Sequence, residues 1–209
     1  MSEKSILFNT AMVRAILDGG KTVTRRVIKP QPEPELEFFG WCREGEERGK
    51  VGFGVDQMVK MFVKPRYAVG DVLWVRETWR ENKYGTGWSW DYKASPEYWY
   101  MPDDYPWRPS IHMPRKAARI FLEVTNVRVE RVQAITEGGA KDEGIESYWA
   151  EPHKDDPPFI GATKELGEAL CSTRCEAFKQ VWDAIEAKRG HGWKANPWVF
   201  VYKFRRVKK

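Results

Sequence analysis

The chain has 209 residues, 42% hydrophobic and 31% charged, a balance that excludes a disordered polyelectrolyte and suits one domain with a sizeable core. No run of about 18 apolar residues occurs, which excludes a membrane-spanning helix; the opening MSEKSILFNT lacks the apolar stretch of a secretory signal, so a cytoplasmic protein is expected. A net charge of +5 with eleven tryptophans fits a polyanionic partner whose phosphates meet cations and whose bases meet aromatic rings.

The first segment, SILF at residues 5–8, reads as a short strand. NTAMVRAILDGG follows as a helix with Asn9 as N-cap, Met12, Val13, Ile16 and Leu17 on one side, and Gly19 and Gly20 as the stop. TVTRRVI is a strand by its β-branched content, and KPQPEPELE a proline-punctuated surface loop. KVGFGVDQMVKMFVKP gives one or two strands, with Gly52 and Gly54 marking a bulge or a close approach. Gly70 and Asp71 turn the chain into a strand from Val72 to Trp79, on which Val75, Glu77 and Trp79 point one way. Residues 82–109 read as a hairpin followed by a long irregular insertion.

The strongest alternation runs from Ile120 to Val132, with a bend expected near Asn126. ITEGGAKDEGI is a short helix capped by Thr136, and ESYWAEPHKDDPPFIG a loop insertion. Residues 162–190 form the longest helical pattern, carrying Leu166, Leu170, Phe178, Val181, Trp182 and Ile185. Pro197 bars a helix at the entry to the closing strand, NPWVFVYKFRRV. Strands dominate, so the class is α+β, with a mixed or antiparallel sheet open to closure into a small barrel. No repeat or domain boundary divides residues 1–209.

Cys42, Cys171 and Cys175 read as free thiols. Cys171 and Cys175 are four apart in the helical pattern, with His153 and His191 distant, but no Cys-x-x-Cys pair exists. No metal site and no cofactor are assigned. Glycine-rich loops for nucleoside triphosphates or dinucleotides are absent from the sequence, and Ser110 sits in no nucleophile elbow.

Three groups of residues bear chemistry. In LDGGKTVTRR, Lys21 stands near Thr24, Arg25 and Arg26. In WVRETW, Glu77 on an inward position needs a partner, flanked by Arg76 and Trp79. Lys21 is a candidate partner, and a desolvated lysine can act as a base toward the Thr24 hydroxyl. Because residues three apart on a strand face opposite sides, Lys21 must then sit in the turn before the strand. The alternative is an ordinary surface Lys–Glu pair. The third group is WRPSIHMPR, where His112 and Arg115 lie among prolines; a hydrogen-bonded structural histidine is the competing reading. Beyond these, Lys188, Arg189, Trp193 and Lys194 surround glycines near the end of the last helix. They suit phosphate contact with base stacking, or, for Lys188 and Arg189, a helix C-terminus complemented by cations.

The string ILDGGKTVTRR resembles the G-x-K-x-x-T-x-R signature of the ASCH domain, a family in the PUA-like superfamily, and VGDVLWVRETW resembles its following G-D-x-L-x-V-x-E strand. The stretches from Trp107 to Ile145 and from Phe178 to Val207 are similar to larger family members of phages and prophages. The resemblance spans one domain with insertions near residues 31–65, 82–106 and 147–165. It implies a PUA-like small mixed β-barrel with flanking helices, and a cleft for RNA, DNA, a nucleoside or a nucleotide. It further implies a possible amidohydrolase, removing an N4-acyl group from a cytidine-type base with Lys21, Thr24 and Glu77. Arg25, Arg26, Arg76, Trp79, His112 and Arg115 would then hold the ligand. A non-catalytic nucleic-acid-binding module and a ribonuclease are the alternatives.

Overall fold

The computed structural model describes residues 2–84, 87–98, 106–145 and 171–209. Their strands are β1 (Glu3–Leu7), β2 (Val23–Val27), β3 (Glu37–Trp41), β4 (Val51–Val55), β5 (Met58–Val63), β6 (Val72–Arg76), β7 (Trp79–Tyr84), β8 (Gly87–Tyr92), β9 (Phe121–Arg131) and β10 (Trp198–Val207). Their helices are α1 (Thr10–Leu17), α2 (Glu137–Asp142) and α3 (Arg174–Glu186). The class is α+β, mostly strand.

Five strands form the main sheet in the order β1-β6-β9-β10-β2. Only the β1–β6 pair is parallel; the others are antiparallel. β10 is the spine because it is apolar on both faces. Trp198, Phe200, Tyr202 and Phe204 enter one core with Ile6, Leu73, Leu122 and Val13 of α1. Val199 and Val201 enter a second core under α2 and α3, with Phe178, Val181 and Trp182. The bend expected near Asn126 is a bulge: the register with β10 shifts between Lys203 and Phe204, leaving Thr125 unpaired.

Closure into a barrel is where expectation and strand pairing part. β1 and β2 end the strand order as edges and exchange no ladder bonds. The sheet curls instead, until the Arg26 guanidinium on β2 donates to the Leu7 carbonyl on β1 at 2.8 Å.

KVGFGVDQMVKMFVKP resolves into β4 and β5, turned by Asp56 and Gln57 at positive φ (50° and 63°). Together with β3, which sequence reasoning missed, it forms a small antiparallel sheet. Phe38, Val51, Phe53 and Val63 dock it onto the first core, with the Phe53 and Trp198 rings 5.4 Å apart. The strand expected from Val72 to Trp79 breaks after Arg76, and the hairpin β7–β8 begins at Trp79. Helix α1 is capped as expected, the Asn9 side chain accepting the Met12 N–H at 2.8 Å, and Gly19 follows at φ +82°.

The long helical pattern is shorter than expected within the described residues. α3 starts after Thr173, whose hydroxyl accepts the Glu176 N–H at 3.1 Å, while Glu137 of α2 accepts the Arg174 and Cys175 N–H groups at 2.9 and 3.0 Å. A local cap plus a carboxylate from another helix stops extension toward Cys171. Cys171 therefore precedes the helix that carries Cys175, and the two share no helical face. The insertion expected at residues 147–165, with Leu166 and Leu170, lies outside the described residues. Among the described residues no helix is long and apolar enough to cross a membrane.

Candidate functional site

Lys21 sits between α1 and β2, in the turn that the strand-parity argument required. Its N–H donates to the Ala15 carbonyl at 2.9 Å, the next N–H (Thr22) to Asp142 at 2.8 Å, and Lys21 bridges Glu143 just past α2. The side chain is fully buried. Its ammonium donates to Glu143 Oε2 at 2.5 Å and to the Glu143 carbonyl at 2.9 Å. Burial pushes the Lys21 pKa below its ordinary value, against the pull of Glu143. Arg25 completes the group: Nη1 reaches Glu143 Oε1 at 3.1 Å, while Nε and Nη2 reach Glu130 Oε1 at 3.0 and 2.6 Å. Two cations and two carboxylates thus neutralise one another inside the protein.

Glu77 is not the partner of Lys21. Its buried carboxylate takes both prongs of Arg119, Nε at 2.9 Å and Nη2 at 2.8 Å. Arg119 also donates to the Ser95 hydroxyl at 2.8 Å and stacks on Tyr92, 4.0 Å from the ring centre. Burial raises the Glu77 pKa while Arg119 pulls it back. A planar guanidinium matches a carboxylate on two oxygens, which an ammonium cannot do. Nothing in the local sequence marks Arg119 or Glu143 as the two partners; the choice is set by where β9 and α2 pack.

Thr24 is buried on β2 and lines a hollow of about 40 Å³ with Arg26, Glu143, Phe178 and Val181. That volume holds about one water and no nucleobase. Arg25, expected to face ligand, is consumed by its two glutamates. Trp79, expected to stack a base, is 3% exposed and packs with Met113 and Ala117. His112 is exposed on a short 3-10 turn, and Arg115 grips Glu3 at 2.9 and 3.1 Å, both away from the cavity described next.

Between the two sheet edges lies a cavity of about 460 Å³. Its walls include Ser5 to Leu7 of β1, Arg26 and Val27 of β2, and Phe200 and Tyr202 of β10. Six cations line it: Arg26, Lys29, Lys64, Arg66, Arg76 and Arg189. Against them stands one carboxylate among the described residues, Glu186, which holds Arg189 at 2.7 Å. The other five cations have no carboxylate within ion-pair distance among the described residues, and Arg76 Nε is buried without a hydrogen-bond partner. Tyr67 and Tyr202 meet edge-on at 5.1 Å, and burial raises both phenols, so neither supplies negative charge near neutral pH. The Phe8 ring is shared by a cation of each group, with Lys21 5.7 Å and Arg26 5.4 Å from its centre.

Of the cationic loop after α3, Arg189 alone reaches the cavity. Lys188 and Lys194 are exposed, and Trp193 is half-buried against Phe178, with its N–H donating to Asp183 at 2.6 Å. Sequence reasoning passed over Lys29, Lys64, Arg66 and Tyr67, although VKPRY carried a basic-aromatic signal. Compared with known proteins, the chain matches no family model, no curated protein and no solved structure.

Proposed function

We propose that the protein binds a nucleotide-bearing anion, foremost an RNA segment, in the cavity between β1 and β2. One observation carries this reading: of the six cations lining a 460 Å³ space, five have no carboxylate within ion-pair distance among the described residues. Clustered like charges repel and weaken the fold unless an anion enters. The fork of Arg26, Arg66 and Arg76 suits phosphate oxygens, and Tyr67, Tyr202 and Phe200 give the same space an aromatic floor. The reading agrees with the resemblance to ASCH domains and needs no closed PUA-like barrel, since the ligand space is the opening itself.

The test is equilibrium binding of a fluorescently labelled single-stranded RNA across a salt series. Three to five phosphate contacts give a log–log slope of about −2 to −3.5. Arg66→Ala should flatten that slope by about 0.7 per lost contact. Salt-independent binding, or a slope unchanged in Arg66→Ala and Arg76→Ala, contradicts the reading.

A second reading, hydrolysis of an N4-acyl cytosine amide, is supported by one observation. Lys21 is a buried amine with a lowered pKa, and the Thr24 hydroxyl lines the hollow beside its partner Glu143. In this reading Glu143 replaces Glu77 as the group that orients the lysine, and Thr24 is the nucleophile. The hollow must open by movement of α3 to admit the base. Thr24→Val, which keeps the volume, should abolish release of acetate from N4-acetylcytidine without unfolding the protein.

A further inference from the structure

The small sheet carries exposed apolar side chains on its outer face. Inward positions Val51, Phe53 and Val63 are buried, whereas the opposite face carries a row of glycines: Gly40 pairs with Gly52, and Gly52 with Phe62. Gly54 pairs with Val59. The glycines keep this face flat. A Cβ on Gly52 would come within 3.0 Å of the Val59 side chain and 3.8 Å of the Phe62 ring, and one on Gly54 would meet the Met58 carbonyl oxygen at 2.1 Å. A Cβ on Gly40 would meet nothing within 4 Å. Phe62 is 43% exposed and Val59 37% exposed, and both side chains lie against the buried Gly52, so the aromatic ring rests on the glycine backbone with part of its surface bare.

This face is joined to the cationic cavity by β5 itself. Val63 points into the core, so Phe62 and Lys64, two residues apart, face the same side about 7 Å apart. Lys64 lines the cavity, and the exposed Lys60, the bulge residue of β5, lies on the other flank of Phe62. Cation, ring and cation thus follow one another along a strand that ends at the cavity wall. An apolar protein partner has no use for the flanking ammonium groups. An unpaired nucleic-acid strand uses both: phosphates on the lysines and a base on the ring.

We infer that the outer face of β3–β5 is a stacking platform for single-stranded nucleic acid, continuing the path of a strand whose phosphates enter the cavity at Lys64. The inference rests on the cavity reading above and adds to it that the ligand is a polymer several nucleotides long. Phe62 stacks one base on the exposed part of its ring, and Lys60 takes a phosphate beyond it.

The experiment compares binding of an eight-nucleotide RNA, the same sequence as DNA, and adenosine 5′-monophosphate. The proteins are wild type, Phe62→Ala, Phe62→Leu and Arg66→Ala, each checked by its thermal melting. The expected result is a loss of about tenfold or more for the octamers in Phe62→Ala, as for one unstacked base, with the mononucleotide unchanged. Phe62→Leu, which keeps the apolar bulk but no ring, should lose most of the same affinity. The DNA octamer tells whether the platform distinguishes the sugar. Octamer affinity that falls in Arg66→Ala but not in either Phe62 variant overturns the platform and leaves the cavity reading standing. No binding of any probe by the wild type overturns both. A change of oligomeric state in Phe62→Ala with RNA affinity intact overturns the platform and makes the face a contact between copies of the chain.

Discussion

Lys21 Nζ and Glu143 are joined twice, through the carboxylate at 2.5 Å and through the backbone carbonyl at 2.9 Å. One residue past α2 thereby holds the turn between α1 and β2. Glu143 also holds Arg25 Nη1, so its removal strands the buried Lys21 ammonium and leaves Arg25 with Glu130 alone. Glu143→Ala should cost about 3–5 kcal/mol in denaturant unfolding, the range for breaking a buried pair. Glu143→Gln, which keeps the acceptor oxygen, should cost less. Near-wild-type stability of Glu143→Ala would mean that water reaches Lys21 freely.

Gly144 closes the same corner. It sits at φ +89°, and a Cβ there would lie 2.8 Å from Ala15 Cβ and 3.1 Å from Lys21 Cβ. Gly144→Ala should therefore destabilise by about 1–3 kcal/mol, through overpacking and backbone strain together. Calorimetry reads it, and an unchanged Tm would show that α1 yields at no cost.

Glu77 and Arg119 should behave as a coupled structural pair. A double-mutant cycle of Glu77→Gln with Arg119→Met should give a coupling of about 0.5–3 kcal/mol, whereas Glu77→Gln with Lys21→Met should be additive. Coupling between Glu77 and Lys21 instead would restore the arrangement expected from the resemblance.

Asp71 governs acid stability at the other end of β1. Burial alone would raise its carboxyl, but hydrogen bonds from Lys4, Ser2 and the Ala68 N–H outweigh this and bring it down to about 2. A depressed carboxyl contributes stability that is fully present above its unfolded value of 3.8 and is lost as pH falls toward 2. The contribution is about 2 kcal/mol for this buried group. Asp71→Asn should lose about that much at neutral pH, and unfolding curves between pH 5 and 2 should show a shallower acid limb.

Local signals told most of the fold in advance. The Asn9 and Thr136 caps, the Gly19 stop and the alternation of β9 are decided by neighbours in sequence, so they could be read there. β3 was missed because EFFGW contains a bulge at Phe39, between the pairs of Phe38 and Gly40, which breaks the two-residue period. At the site, Thr24 and Arg26 line one hollow with Glu143, the partner of Lys21. Which glutamate meets Lys21 depends on a contact across 122 positions, and no spacing rule reaches that far. Trp79 failed as a stacking candidate because an indole on an inward strand position buries more readily than it waits for a ligand. The cavity was hardest to foresee, since its cations come from four separated segments.

The most direct measurement is a backbone amide chemical-shift map of the protein titrated with a short single-stranded RNA. Shifts concentrated at Ser5–Leu7, Arg26–Lys29, Lys64–Tyr67 and Arg76, which diminish together in Arg26→Ala, are the result the account requires. Shifts confined to Lys188–Lys194, or no shifts at ligand excess, would contradict it.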